Sequence, residues 1–316
     1  MLSNLIFSLN IVAPLFLFVA LGLIFRRTGF VREEFFLYGS KVVFYIALPA
    51  SLFRSIIHTS LDALLDFRFI SFVMVATTIS FVVIWIISAL VIKDKRILGA
   101  FVQGSFRSNI VILGLPLMTS LAGEEGVMRT AILIAVVMPI YNIYSVIVLA
   151  VCADSKAKIR LKDIILMLIK NPLIIGVLLG VTVLLLDINL PFFMARSVDH
   201  AAEMATPLAL ICLGGGILFR GFDEKFKFSL IASLIKVAVM PALFVIAGYL
   251  FGFRGVDLTA IMMLGGTPAA IAGYVTVLEM GGDGYTAGTI VVMSTALSAV
   301  SLTVFIYVLR VMGMLY

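Results

Sequence analysis

Two apolar stretches of the sequence are interrupted by residues that are poor helix formers and that carry hydrogen-bonding groups. The first contains Gly104-Ser105-Phe106-Arg107-Ser108-Asn109 and then Gly114-Leu115-Pro116, and the second contains Gly265-Gly266-Thr267-Pro268. Proline removes a backbone donor and clashes with the preceding turn, and glycine costs about 1 kcal/mol relative to alanine inside a helix. Both stretches are therefore predicted to be broken helices whose freed backbone groups face protein or a polar cavity.

Arg107, Ser108 and Asn109 cluster at the first of these breaks. An arginine at the centre of a bilayer costs about 2.5–3.5 kcal/mol, so Arg107 needs a partner or a water-filled cavity. Its planar guanidinium can bind a carboxylate through two hydrogen bonds, which would suit an organic acid. The alternative is that Arg107 pairs only with backbone carbonyls or with a neighbouring acidic residue.

The residues predicted to bind substrate are the polar and helix-breaking residues of the two breaks, together with two polar residues of the next apolar stretch. They are Arg107, Ser108, Asn109, Tyr141, Asn142, Gly266, Thr267 and Pro268. Ser294 and Thr295 are further candidates for lining the same cavity, although serine and threonine hydroxyls in a helix also bond to their own backbone.

Three ionisable residues in other apolar stretches are candidates for ion or proton coupling. Lys41 is separated from Asp199 by 158 residues, and Glu203 lies one helical turn beyond Asp199 on the same face. One interpretation is an ion pair or a proton-responsive group. The other is that these residues lie near the ends of their helices and reach the membrane surface.

Signatures of catalysis are lacking in the sequence. The two histidines, His58 and His200, have no metal-ligand spacing, and no phosphate-binding loop or nucleophile elbow is found. We therefore expect neither an enzyme nor a metal site, and no cofactor apart from a coupling ion such as H⁺ or Na⁺. Nothing in the sequence indicates binding of nucleic acid.

The composition assigns the chain to the membrane proteins. Its 316 residues are 63% hydrophobic and 13% charged, whereas soluble domains are about 45–50% apolar and about 25% charged. About 20 apolar residues cross a bilayer as a helix, and we predict ten such spans. They cover residues 5–25, 35–57, 69–92, 97–122, 127–152, 171–187, 196–219, 229–251, 257–280 and 285–310.

The distribution of basic residues predicts the orientation of these spans. Connections after odd-numbered spans hold 14 Lys and Arg residues, and connections after even-numbered spans hold 5. Basic connections stay in the cytoplasm, so both termini are predicted to be extracytoplasmic. The net charge of +6 fits loops that face anionic lipid.

A step of 158 residues relates the two halves of the chain. It connects Pro14 with Pro172, Pro49 with Pro207, Gly22 with Gly180, Gly123 with Gly281, and Glu125 with Asp283. Five spans per copy would make the second copy enter the membrane from the opposite side, as in many secondary transporters. The predicted organisation is a first five-helix repeat over 1–152, a basic interfacial linker helix over 153–170, and a second five-helix repeat over 171–316.

The string Arg107-Ser108-Asn109-Ile-Val-Ile-Leu-Gly114-Leu115-Pro116-Leu117 resembles the auxin efflux carrier family, as do Asn171-Pro172-Leu173 and Pro268-Ala-Ala-Ile. The likeness covers nearly the whole chain. Bacterial members of that family are described as permeases for malate, malonate or similar acids, and plant members carry auxin. One departure is Ser108, where plant members have proline, and this puts a plant-like substrate in doubt.

The resemblance implies an all-α integral membrane protein of the inner (plasma) membrane. Its ten helices would form two inverted repeats like those of the bile-acid symporters, with broken helices four and nine crossing at Asn109, Pro116 and Pro268. Spans one, two, six and seven would form a scaffold and a homodimer surface. The half-helix N-termini at the crossing would attract a carboxylate.

The function implied is secondary transport of small organic anions by alternating access. A sodium-coupled symporter of the bile-acid type, with Ser108 and Thr267 among its oxygen ligands, is one alternative. A membrane receptor that keeps the fold without transport is the other.

Overall fold

The structure is a computed structural model that describes residues 2–57, 66–152, 170, 172–216 and 225–315, and these residues are almost entirely helical. In chain order the helices are α1 (Leu2–Thr28), α2 (Glu33–Val42), α3 (Leu48–Ile57), α4 (Phe67–Val91), α5 (Lys95–Phe106), α6 (Leu115–Cys152), α7 (Pro172–Leu185), α8 (Phe192–Glu203), α9 (Ala205–Gly216), α10 (Phe226–Leu234), α11 (Met240–Leu250), α12 (Gly255–Gly266), α13 (Ile271–Glu279) and α14 (Gly284–Val311). Most of the predicted linker helix, residues 153–169, lies outside the described residues.

Helices long enough to cross a membrane dominate this architecture. Six helices of the described residues have the required length and apolar character, and Pro172–Leu185 and Gly255–Gly266 are shorter apolar helices. This agrees with an integral membrane protein. One of the six runs from Ile110 to Cys152, but Gly123 within it has φ 56° and ψ −138°, which is not helical. The ten predicted spans and their inverted symmetry stay a prediction.

Three short π-helical segments interrupt the helices, and each is followed by a proline. They are π1 (Val43–Ala47) before Pro49, π2 (Ile110–Gly114) before Pro116, and π3 (Ile235–Val239) before Pro241. Proline lacks the N–H for the i→i−4 hydrogen bond and clashes with that carbonyl. A wider turn before the proline keeps the helix continuous, so α2 and α3 form one helix, as do α10 and α11.

The centre of the molecule consists of two half-length helices. In α5 and in α12, ten of the twelve residues are buried. Most residues of a helix that is buried on all sides are apolar, as the run Ala260-Ile261-Met262-Met263-Leu264 illustrates. These two helices end inside the protein at the breaks that the sequence predicts.

Glycines allow two pairs of helices to pack in backbone contact. Gly22 of α1 and Gly214 of α9 lie against the carbonyl oxygens of Ile211 and Val19, respectively, so a Cβ at either glycine would collide. Gly180 of α7 lies in the same way against Phe53 and Ile56 of α3. These glycines therefore allow the helices to approach more closely than larger residues would.

The connections after odd-numbered predicted spans contact one another at one end of the protein. Arg26 donates a 2.6 Å hydrogen bond to the carbonyl of Gly215, at the end of α9. Arg96 Nε donates a 2.9 Å hydrogen bond to the carbonyl of Gly281, and Lys225 Nζ lies 2.6 Å from a carboxylate oxygen of Asp283.

The connections after even-numbered predicted spans meet at the opposite end. Arg129 lies 3.2 Å from Asp66 Oδ2 and 2.7 Å from Asp257 Oδ1 and so connects the starts of α4 and α12. The two sets of connections thus lie at opposite ends, as alternating spans require. Which end faces the cytoplasm stays a prediction.

We expect Gly214→Val to destabilise the protein, because the new side chain would overlap the backbone of α1. Overpacking of this kind costs about 1–3 kcal/mol, and thermal unfolding in detergent measures it. Gly216→Val is the matched control, since a Cβ at Gly216 meets no atom within 4 Å. Equal melting temperatures for the two variants would contradict the backbone contact.

The charge of Asp283 gives a second prediction. Burial alone would raise the pKa of this carboxyl, but hydrogen bonds from Lys225 and Thr286 outweigh burial and lower the pKa. Because the pKa is lower in the folded than in the unfolded state, the stabilisation is present above about pH 4 and is lost as the pH falls through the folded-state pKa.

Asp283→Asn keeps an acceptor for the Thr286 N–H and removes the charge. We expect it to lower the melting temperature at pH 7 and to match the wild type in acid. The pair with Lys225 is partly exposed, so the loss is at most about 1 kcal/mol. A difference that persists unchanged in acid would argue against the ionic contribution.

Candidate functional site

The two breaks lie side by side and are joined by backbone hydrogen bonds. Helix α5 ends at Phe106 and π2 begins at Ile110, while α12 ends at Gly266 and α13 begins at Ile271. Between them, Asn109 N donates to Pro268 O at 2.7 Å, and Ala270 N donates to Arg107 O at 3.3 Å. These bonds form an isolated antiparallel bridge between Ser108 and Ala269. Backbone groups that each break releases are thus satisfied by the other break.

Side chains of neighbouring helices complete the hydrogen bonding of the breaks. Ser294 of α14 accepts a 3.0 Å hydrogen bond from Ala269 N through its hydroxyl oxygen. The hydroxyl of Ser108 donates to the carbonyl of Leu264 in the last turn of α12. Pro268 has no N–H, so its position in the break leaves no donor unpaired. The sequence therefore suits this broken conformation at each of these positions.

The guanidinium of Arg107 is held by two polar side chains of α6. Only 4% of Arg107 is exposed, and its terminal nitrogens donate to Ser145 Oγ and Asn142 Oδ1, both at 3.1 Å. None of the ion pairs found in the described part of the chain includes Arg107, and its Nε has no hydrogen-bond partner there. Its positive charge is thus oriented by neutral groups, and no carboxylate of the described residues neutralises it.

Tyr141 supports this arrangement without contacting the cavity described below. It is 1% exposed, and its ring packs edge-on against Phe106 with the ring centroids 5.5 Å apart. The carbonyl of Tyr141 accepts a 2.5 Å hydrogen bond from the Ser145 hydroxyl. Tyr141, predicted to bind substrate, therefore lies where it fixes the end of α5 and the serine that binds Arg107.

Several buried polar atoms near the breaks have no hydrogen-bond partner among the described residues. They are Asn109 Nδ2, Thr267 Oγ1, Ser105 Oγ and both amide atoms of Gln103. Most buried polar groups in proteins are hydrogen-bonded, so a cluster of unpaired ones needs a reason. An unpaired cluster at the meeting point of two broken helices is typical of a site that binds a polar ligand or water.

A cavity of about 1090 Å³ leads to this site from one end of the protein. It opens at the end formed by the odd-numbered connections, where Arg26, Lys170 and Glu33 line it. Its inner part is lined by Arg107 and Asn142, together with residues of the first turns of α13. The cavity separates α1, α2 and α9 from α6 and α13.

The structure distributes the predicted site residues between this cavity and the wall behind it. Arg107 and Asn142 line the cavity. The other predicted binding residues belong to the breaks or, for Tyr141, to the packing behind them. Those in the breaks are Ser108, Asn109, Gly266, Thr267 and Pro268, all of them buried. Pro116 is also buried and lies just after π2.

Sequence interpretation missed two polar residues of the site. Gln103 precedes Arg107 by one helical turn, and Ser145 follows Tyr141 by one turn. Spacing of three or four residues puts side chains on the same helix face, so this signal was available. Neither residue is unusual by itself, and only the contact with Arg107 distinguishes Ser145.

Of the three candidates for ion or proton coupling, Lys41 forms no ion pair with Asp199 or Glu203 among the described residues. Asp199 lies 4.0 Å from Arg54, and Glu203 lies 3.8 Å from His200 on the surface. Lys41 lies over the ring of Tyr38 and lines the cavity. The described ion pairs therefore connect Asp199 with Arg54 and not with Lys41. A 158-residue step relates equivalent positions in the two halves, and equivalent positions need not touch.

Comparison with known proteins assigns the family. The family model for membrane transport proteins matches residues 7–306. The chain belongs to this auxin efflux carrier-like membrane transport family. The resemblance stated from the sequence motifs is thereby confirmed, and the family is one of membrane transporters.

Relatives of this transporter include two archaeal proteins and one bacterial protein. An uncharacterised transporter of Methanocaldococcus jannaschii is 22% identical over 83% of this chain and 86% of its own length. An uncharacterised transporter of Methanothermobacter thermautotrophicus is 23% identical over 96% and 98%. A Rhizobium meliloti protein named "Putative malonate transporter" is 23% identical over 95% of both chains.

The hydrogen bonds at the breaks predict which side chains the fold requires. Ser294→Ala would leave the buried Ala269 N–H without its acceptor, at a cost of about 1–3 kcal/mol. Asn109→Ala removes an amide nitrogen that has no partner among the described residues, so we expect a smaller loss. Melting temperatures of both variants in detergent test this order, and the reverse order would contradict the assignment.

Proposed function

We propose that this protein is a secondary transporter of small organic anions that binds them at the meeting point of the two broken helices. The observation that carries this proposal is the cavity that reaches Arg107, Asn142 and the N-terminal turn of α13. A membrane transporter needs a polar site that opens to one side of the membrane at a time. The cavity described above ends at the polar groups of the breaks and opens at one end of the protein.

The charge of the site favours an anion. Arg107 is buried without a carboxylate among the described residues, and Ile271 and Ala272 begin a helix whose N-terminus carries partial positive charge. Backbone N–H groups in a first helical turn have no partner within the helix. A carboxylate near Arg107 Nε would therefore gain a charge-assisted hydrogen bond and the helix-end potential together.

The entrance of the cavity attracts anions as well. It carries Arg26, Lys41 and Lys170, against the acidic residues Glu33 and Glu34. Arg26 is paired with Glu33 at 2.9 Å, so the two lysines against Glu34 leave an excess of one positive charge. Positive charge at the mouth of a cleft raises the local concentration of an anionic substrate and its rate of entry.

The relative named as a malonate transporter supports a small dicarboxylate as the first substrate to test. Malate and auxin-like acids are the next candidates, because the family resemblance includes both. The sequence leaves H⁺ and Na⁺ open as coupling ions. Uptake of labelled malonate into proteoliposomes under an imposed gradient of either ion distinguishes them.

Alternating access in this proposal depends on two inverted five-helix repeats, over 1–152 and 171–316. Equivalent contacts at the 158-residue step support the repeat, since Gly22 lies against Ile211 and Gly180 lies against Phe53. Backbone conformation supports it too. Gly29 and Asp187 both have positive φ, 71° and 47°, and Gly123 and Gly281 have φ 56° and 74°.

The moving part would be the unit that contains both breaks. The helices of predicted spans one, two, six and seven, which are α1, α2, α3, α7, α8 and α9, would form the scaffold and a homodimer surface. Because the cavity lies between α1, α2 and α9 on one side and α6 and α13 on the other, a shift between these groups would close it. By the charge rule, the open end of the cavity faces the cytoplasm.

Arg107→Gln tests the site. A charge-assisted hydrogen bond contributes about 1.5–3 kcal/mol, so malonate uptake should fall by about 10- to 100-fold. Arg54→Gln is the matched control, because Arg54 lies outside the cavity lining and near Asp199. Unchanged uptake in the Arg107 variant, with normal folding by size-exclusion chromatography, would contradict the site.

A further inference from the structure

Lys236 is a fully buried lysine at the second break. Its relative exposure is 0%, and its Nζ donates a 2.5 Å hydrogen bond to the carbonyl oxygen of Gly265. Within the described ranges, no ion pair includes Lys236. A buried lysine usually needs an acidic partner, and here the contact is with a backbone carbonyl at a helix end.

The helix that carries Lys236 is shaped to bring it to this carbonyl. Lys236 is the second residue of π3, which widens the helix ahead of Pro241. The backbone of α12 approaches closely at this point, since a Cβ at Gly265 would lie 2.8 Å from Pro241 Cα. An extra residue in a helical turn rotates the residues that follow it by about 100° relative to those before it, so π3 changes the orientation of Lys236 relative to Pro241 and the rest of α11.

Gly265 belongs to the last turn of α12, where carbonyl groups lack partners within the helix. The carbonyl of Met263 accepts a 3.1 Å hydrogen bond from Thr267 N, and the carbonyl of Gly265 accepts from Lys236. A helix C-terminus carries about −0.5 elementary charge. A positive charge next to this helix end is therefore attracted to it, and the attraction offsets part of the cost of burying the lysine.

The first half of the chain lacks this cation at the equivalent position. The residue 158 positions before Lys236 is Thr78. Its hydroxyl donates a 2.7 Å hydrogen bond to Met74 O and lies 2.9 Å from the hydroxyl of Tyr144. The lysine therefore belongs to one break alone, and its role is not a requirement of every broken helix in this fold.

We propose that Lys236 is a tethered cation that occupies the position of a free coupling cation at the C-terminal end of α12, so that transport does not require Na⁺. This inference rests on the proposed transport function. Lys236 acts through the backbone of the break and is a positioning residue. It is covalently attached to the helix, whereas a free Na⁺ would have to bind and dissociate in each cycle.

Chemical rescue of Lys236→Ala tests this role. Propylammonium supplies the atoms that the substitution removes, and 1-propanol supplies a similar volume without charge. We expect Lys236→Ala to lower malonate uptake about tenfold or more and to lower the melting temperature. Propylammonium should recover about a third or more of each loss, because a ligand that binds only the folded state stabilises it. 1-Propanol should recover neither.

Two further arms complete the experiment. Lys227→Ala is the matched control, because Lys227 lies on the same helix but is exposed, and it should resemble the wild type. Wild-type uptake should change by less than about twofold when N-methylglucamine replaces Na⁺, because tightly held charge is insensitive to the bulk cation.

Each result has a definite meaning. If propylammonium and 1-propanol have the same effect on the melting temperature of the variant, or if wild-type uptake requires Na⁺, the proposed role of Lys236 as a tethered cation is contradicted. If Lys236→Ala cannot be purified, the sodium dependence of the wild type still decides. If the wild type takes up no malonate in any salt while propylammonium raises the melting temperature of the variant, the transport function fails and the role of Lys236 at the helix end stands.

Discussion

A helix that ends inside a membrane leaves backbone groups that neither water nor lipid can satisfy, and most polar features of this protein answer that constraint. The two breaks bond to each other through Asn109 N and Pro268 O and through Ala270 N and Arg107 O. Ser294 and Lys236 satisfy further backbone groups of the second break. Unpaired backbone groups cost several kcal/mol each in hydrocarbon, so the breaks are stable only as a pair.

The charged side chains at this site have different partners from those at the ends of the protein. Arg129 lies between two carboxylates at one end, and Lys225 pairs with Asp283 at the other. In contrast, Arg107 and Lys236 contact neutral acceptors inside the molecule. A buried positive charge that contacts only neutral acceptors is costly, and the anionic substrate proposed to bind near Arg107 would offset this cost.

Prolines and glycines give the helices the shapes that this arrangement needs. Pro49, Pro116 and Pro241 each follow a π-helical segment, and these wider turns change the direction in which the following side chains point. Outside the breaks, glycines determine how closely helices pack. Gly22, Gly180 and Gly214 allow helices to pack in backbone contact. The space between these helices is too narrow for a larger side chain, so both helix pairs depend on glycine at these positions.

The sequence by itself determined the membrane class, the two helix breaks and the family, because composition, proline and glycine act locally. It also made Arg107 a candidate for substrate binding. Tertiary structure alone decided that Asn142 and Ser145 orient Arg107, that Asp199 lies near Arg54, and that Lys236 reaches Gly265. These contacts depend on the rotation and approach of separate helices. One extra residue in a π-helical segment rotates the rest of the helix by about 100°. Hydropathy patterns do not encode this rotation.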